Sequence, residues 1–320
     1  MQKFQLENEY VLVEFFDYGG ILTKMVNKRT GQNYVLAYED EQNYLDNPYF
    51  FGATIGRNAG RTFPPHYLNY AGEKVVLDTN EGQLHLHGGK NGLHQVTWQV
   101  RSIDETAFQL TYEDTKSPYE PIALKMIYRL VKNRFSIEMS ALANEPTVCN
   151  LTNHSYFNLE NQKTIEDHYL QTASAEIQVI DEQFVPTEEY SAMNDPEDRL
   201  FDFSQEKQIS EALVQKTNLS KICADGMDLA YCFKQKDTAK PKIILMDHHK
   251  KNQLKIYSDQ EACVIYTLNK ISNDLKLANG NTIERFSGIT FEMQRRPNYV
   301  QTEQEYLTTD YSAITTYEMD

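Results

Sequence analysis

The sequence lacks any Cys-x-x-Cys pair. Its four cysteines, Cys149, Cys223, Cys232 and Cys263, are scattered, which excludes a zinc ribbon and a thioredoxin-like dithiol and leaves structural thiols. Residues 1–9 carry no apolar leader, and no uninterrupted apolar run approaches a membrane span, so a cytoplasmic protein is expected. Cations are also in short supply, with 31 Lys+Arg against 46 Asp+Glu and a formal charge of -15. That balance argues against nucleic acid or an anionic membrane as partner and favours a small neutral ligand. No repeat, linker or composition break divides the 320 residues, and one domain covering 1–320 is expected because β-rich units commonly exceed the usual length prior. Helical periodicity is scarce. Only residues 204–217 show it, with Ser204 as N-cap and Ile209, Leu213 and Val214 on one face.

What is abundant is alternation. Short period-2 segments recur at 10–16, 21–26, 98–102, 108–112, 122–131, 135–143, 242–246, 254–258 and 289–294, which read as strands. Segments 122–131 and 135–143 flank Lys132-Asn133 and form a hairpin. The 21 Tyr and 15 Phe supply ample core. With Gly and Pro punctuation between strands, the fold class expected is all-β, a large single-domain antiparallel β-sandwich. Residues 181–203, acidic and carrying Pro186 and Pro196, read as a loop excursion at a functional rim.

The densest chemistry lies at Asn150-Leu151-Thr152-Asn153-His154-Ser155-Tyr156-Phe157-Asn158-Leu159. As a strand, this segment puts Asn150, Thr152, His154, Tyr156 and Asn158 on one face, a set of groups suited to sugar hydroxyls, with a proton carrier for neutral pH among them. Such a face is costly to bury without a ligand. Four other segments share its character. Gly52 to Arg61 mixes small residues with Arg57 and Arg61, and Leu84-His85-Leu86-His87-Gly88-Gly89 puts two histidines on one strand face. Asp228 opens an apolar run, and Glu292 sits mid-strand with Thr290 and Gln294 on its face. His85 and His87 lack a third ligand at a recognisable spacing, so no metal is expected. Arg57 reads as a structural ion-pair partner, and His66, His94 and His168 as surface or structural residues.

Together these segments, in this order, resemble the aldose 1-epimerase (galactose mutarotase) family over nearly the whole chain. Gly56 to Arg61 is similar to its glycine-arginine motif, Leu86-His87-Gly88-Gly89 with Gly92 and Trp98 to its histidine-diglycine segment, and Thr152 to Leu159 to its histidine signature. The resemblance implies the family's supersandwich. It implies Glu292 as general base on the anomeric hydroxyl, His154 as general acid toward the ring oxygen, and Arg61, His87 and Asp228 as sugar-binding residues. It implies no cofactor, and a monomer or homodimer. Gly60 stands where the family often has Asn, and Val264 where it often has Gln, which points to shifted preference or a larger pocket, toward a disaccharide such as maltose. Anomer exchange needs one proton taken from the C1 hydroxyl and one given to the ring oxygen, so two positioned groups suffice. On ordinary pKa values the acid limb of the pH profile would belong to Glu292 and the basic limb to the His154 pair. Four rival readings remain: a maltose-type epimerase, a non-catalytic sugar-binding protein, a glycoside hydrolase using Asp228 and Glu292, and a hexose-phosphate epimerase.

Overall fold

The computed structural model describes residues 1–214 and 217–320. Among them, two antiparallel sheets make up the body. The larger runs in the order Gln99–Asp104, Ala107–Asp114, Ile122–Val131, Arg134–Val148, Leu307–Met319, Gln253–Ser258, Ile243–Met246, Tyr169–Thr172 and Lys207–Gln208. The smaller is built on four strands, β1 (Ala175–Ile180), β2 (Asp228–Phe233), β3 (Ala262–Tyr266) and β4 (Ile289–Gln294). Its order is Tyr156–Phe157, β4, β3, β2, β1, Pro186–Ser191. The expected hairpin is present: Val131 pairs with Arg134, and Lys132 takes the positive φ of 53° that closes the turn.

Period-2 alternation explains how the sheets use their faces. In the larger sheet, Phe135, Ile137, Met139 and Ala141 point inward. In the smaller sheet the odd-numbered Ile177, Leu229, Tyr231, Cys263, Ile265, Ile289, Phe291 and Met293 meet them in one core. Phe157 stacks on Phe291 at 5.9 Å and touches Tyr317 of the larger sheet at 5.6 Å between ring centroids. The even-numbered residues of β1 to β4 therefore face the other way, onto the outer side of the smaller sheet. A second apolar cluster that includes Tyr38, Tyr44, Tyr49, Phe51 and Leu268 packs there and helps to wall in a cavity.

Two sequence expectations are corrected. Residues 204–214 form no α-helix. Lys207 and Gln208 pair with Leu170 and Tyr169, and the N–H groups of Ile209 and Ser210 donate to the carbonyls of His168 and Glu166. The backbone is thus committed across the sheet edge, Ile209 is buried in a 3₁₀ turn, residues 215–216 of the expected helix lie outside the described residues, and Thr217 caps a different, short helix, Asn218–Ile222. The 181–203 excursion is partly strand: Pro186–Ser191 pairs with β1 as an edge strand, where a proline at the first position costs no ladder bond. Among the described residues no helix is long and apolar enough to cross a membrane.

Candidate active site

The cavity over the smaller sheet has a volume of about 350 Å³. Its walls include Phe50, Gly60, Arg61, His87, His154, Tyr156, Asp228, Val264, Tyr266 and Glu292. All five expected site residues are brought together here, from positions up to 231 residues apart in the chain. Register does much of this. Tyr156 pairs with Thr290 and Phe157 with Ile289, and continuing that antiparallel register sets His154 opposite Glu292. At His154 the backbone leaves β4 and bonds instead with Gly52 and Ala53, which fixes its direction.

His154 Nε2 lies 3.4 Å from Glu292 Oε1, and both side chains are almost wholly buried. Burial disfavours charge on each. It lowers the His154 pKa to about 4. Burial, then the nearby Asp228 charge, raises Glu292 to about 8, with Arg61 opposing the rise. His154 Nδ1 and Glu292 Oε2 have no protein partner. From about pH 4 to about pH 8 the pair therefore holds a single titratable proton beyond the N–H of the neutral imidazole, favoured on the carboxyl when the cavity contains no sugar. The bell expected from ordinary pKa values keeps its form and widens: the acid limb, near 4, reports gain of a second proton, and the alkaline limb, near 8, loss of the titratable one.

Arg61 begins a two-residue strand whose partner is Leu86, next to His87. Gly88 makes that approach possible: φ is +82°, and a Cβ there would lie 1.9 Å from the Gly56 carbonyl oxygen, a position only glycine tolerates. Arg61 donates from Nη1 and Nη2 to the two oxygens of Asp228, at 3.2 and 3.1 Å. It also donates from Nε and Nη2 to Glu81, at 2.6 and 3.1 Å. Four of the guanidinium's five N–H groups are thus committed to carboxylates, and one on Nη1 remains for a ligand. Burial opposes the Arg61 charge, but Asp228 and Glu81 more than offset it and raise its pKa. Arg61 acts first as the group that holds Asp228 in place.

His87 accepts a hydrogen bond at Nδ1 from the Gly60 N–H, at 3.2 Å. Burial, then the neighbouring His154 and Arg61, pushes its pKa well down, so the ring is neutral and Nε2 carries the proton as a donor. This bears on metals. His87, His154 and Glu292 each offer a ligand atom, all within 4.8 Å of one another, so the structure supplies the third candidate ligand that the spacing hid. With the Nδ1 lone pair engaged and Nε2 protonated, however, His87 offers a metal no lone pair, and the set does not fit one.

Several residues of the sequence-level set lie elsewhere. The 150–159 segment is not one strand; it is Thr152–Asn153, a break, then Tyr156–Phe157. Of the five residues expected on its polar face, only His154 and Tyr156 line the cavity. Asn150 accepts from the Arg295 N–H, and Asn158 donates to the Gln162 and Ser287 carbonyls. Their polarity serves buried backbone. His85 diverges from His87 because the strand ends at Leu86 and His87 takes a φ of 54°; His85 bonds the Asp78 carbonyl and the Tyr119 hydroxyl instead. Arg57 is structural as expected, buried against Asp114 at 3.3 Å, Thr147 and the Glu120 and Val148 carbonyls. Sequence reasoning missed Phe50, whose ring contacts His87, His94 and His154, and Glu81, which anchors Arg61. It also missed Gln178, flagged only by a polar residue between Ile177 and Val179.

The fold agrees with comparisons to known proteins. The chain belongs to the aldose 1-epimerase family, whose model matches residues 2–305. It is similar to the galactose mutarotase of Bos taurus, 28% identical over 310 residues, covering 94% of this chain and 87% of that protein. It is also similar to the aldose 1-epimerase of Escherichia coli K12, 28% identical over 271 residues, covering 82% and 77%. Among solved structures, an aldose epimerase homologue from C. elegans superposes with a TM-score of 0.88 at 20% identity over 100% of this chain and 98% of the other. A galactose 1-epimerase from Lactobacillus acidophilus does so at 0.85 and 26% identity, over 99% and 93%.

Proposed function

We propose that this isomerase interconverts the α and β anomers of free aldohexoses such as glucose and galactose, with Glu292 as general base and His154 as general acid. The observation that carries the reading is the His154–Glu292 pair at 3.4 Å in the cavity floor, holding one proton between two groups at neutral pH. In the productive arrangement that proton sits on His154. Glu292 takes the C1 hydroxyl proton, the bond from C1 to the ring oxygen breaks, and the ring oxygen takes the proton from His154. Rotation about C1–C2 in the open aldehyde presents its other face. Closure returns the ring-oxygen proton to His154 and the Glu292 proton to O1, so each turnover restores both groups. His87, Asp228 and the free N–H of Arg61 bind sugar hydroxyls. No step calls for a cofactor.

The rivals fit less well. Asp228 is held bidentately by Arg61, which leaves it poorly suited as the free acid or nucleophile of a hydrolase pair. A phosphate would call for a cluster of cations, whereas Arg61 is already shared by two carboxylates and Lys270, the other cation of the cavity wall, lies over the Phe184 ring. The relatives' names favour the hexose reading over the disaccharide one. We read residues 1–320 as one domain, since a single apolar cluster draws members from Leu6 through Met319. Polarimetry of freshly dissolved α-galactose and α-glucose tests the activity. Catalysed decay of rotation by wild type, lost in Glu292→Gln, is expected; decay no faster than in buffer would exclude the function.

A further inference from the structure

One row of residues crosses the floor of the cavity. Gln178 of β1 is paired with Ala230 of β2, Ala230 with Val264 of β3, and Val264 with Glu292 of β4. All four line the cavity. The row thus has a carboxyl at one end, two small or branched apolar side chains in the middle and a carboxamide at the other end. At ordinary strand spacing the two ends are about 14 Å apart between Cα atoms. With a side chain reaching in from each end, the remaining gap suits one hexose ring hydrogen-bonded at both ends, its apolar face over Ala230 and Val264.

The Gln178 carboxamide is already oriented. Its Nε2 donates to the Thr187 carbonyl at 2.9 Å and to the Pro297 carbonyl at 3.2 Å. Both donors are used, so the amide cannot flip without breaking two bonds, and Oε1 is fixed as an acceptor. Gln178 is 2% exposed, and Oε1 has no protein partner, the same condition as Glu292 Oε2 at the opposite end of the row. A buried acceptor without a donor is costly, and a ligand hydroxyl would relieve it.

We infer that Gln178 is a specificity-determining residue: its Oε1 accepts a hydrogen bond from a hydroxyl at the end of the aldohexose remote from C1. The inference rests on the epimerase reading and extends it to a residue two strands away from Val264, which carries no polar group of its own. The test is a cycle that removes the acceptor from the protein and the donor from the sugar. Wild type and Gln178→Leu are assayed by polarimetry on galactose and on its 3-deoxy, 4-deoxy and 6-deoxy analogues. Wild type is expected to lose about tenfold in kcat/KM on one of the three analogues, the worth of one hydrogen bond. Gln178→Leu is expected to raise KM for galactose by about tenfold, to leave kcat within about threefold, and to show no further loss on that same analogue. A variant that is merely distorted would lose the same factor on every sugar, and that result, or an unchanged KM, would overturn the inference while leaving the epimerase reading intact. Should the leucine variant fail to fold, Gln178→Asn, which withdraws the acceptor by one methylene, is held to the same cycle. A wild type that accelerates no sugar would overturn both readings.

Discussion

His154 Nε2 and Glu292 Oε1 stand 3.4 Å apart at the bottom of a largely apolar pit, and burial drives both groups toward neutrality: the imidazole down to about 4 and the carboxyl up to about 8. In the proposed mechanism the pair's titratable proton is the one the reaction passes around.

The first expectation concerns pH. Below about 4 the pair gains a second proton and Glu292 cannot accept the C1 hydroxyl proton. Above about 8 the pair loses its titratable proton and His154 is left as a neutral imidazole, too weak an acid to protonate the ring oxygen. The kcat/KM profile for galactose is expected to be a bell with limbs near those values. A profile flat from pH 5 to pH 10 would contradict the assignment.

Glu292→Gln and His154→Asn are each expected to lower kcat by about 10²- to 10⁴-fold while retaining sugar binding, since each removes one positioned proton carrier and keeps polar atoms in place. Polarimetry gives kcat, and equilibrium titration with galactose gives binding. Near-normal turnover in both would remove the proposed roles.

Glu292 also implies a stability cost. Its folded pKa of about 8 lies above the ordinary 4.5, so between those values the unfolded state has released a proton that the native state still holds, and stability falls as pH rises. Glu292→Gln removes this titration. Its Tm is therefore expected to exceed that of wild type at pH 8 and to converge with it near pH 4.5. The gain at pH 8 is up to about 4 kcal/mol. Thermal unfolding of both proteins across that range decides it.

Arg57→Leu is expected to cost about 3 kcal/mol or more, because it leaves Asp114 buried without its cation. Urea unfolding measures the loss. Arg61→Leu is expected instead to raise KM strongly, since Asp228 loses its hold and the free N–H is gone. If both variants shifted only stability, Arg61 would not belong to the sugar site.

Gly60 and Val264 line the cavity without polar side chains, so discrimination between glucose and galactose is expected to stay far below the ~10⁴-fold that a dedicated hydrogen-bonding site reaches. Gly60→Asn, which restores a polar side chain there, is expected to sharpen it once the unpartnered Gln294 carboxamide, whose Nε2 would lie 3.0 Å from the new Cβ, shifts aside; at a φ of +80° asparagine is less strained than other side chains. Comparing kcat/KM for the two sugars in wild type and variant is the check.

That Arg61, His87, His154, Asp228 and Glu292 share one cavity was expected from the resemblance of their segments to a family, whereas the strands and the hairpin at Lys132-Asn133 were legible in the sequence because period-2 alternation is a local property. Glu292 illustrates this, its strand face readable from Thr290 and Gln294 alone. What the sequence could not show was the use to which each polar residue is put. Asn150 and Asn158 have the same chemistry as a sugar ligand, but tertiary packing assigns them to buried backbone. His85 and His87 part company because one residue takes a positive φ. The short strand at Lys207–Gln208 overrides a helical pattern by pairing with a segment nearly forty residues earlier in the chain. The row from Gln178 to Glu292 exists only in the pairing register of four strands. Local pattern determines which way a side chain faces along its own strand. Hydrogen-bond partners, desolvation and the distance between two titrating groups are set by the rest of the chain, and those decided which residues meet, which proton is shared and which acceptor is left for a ligand.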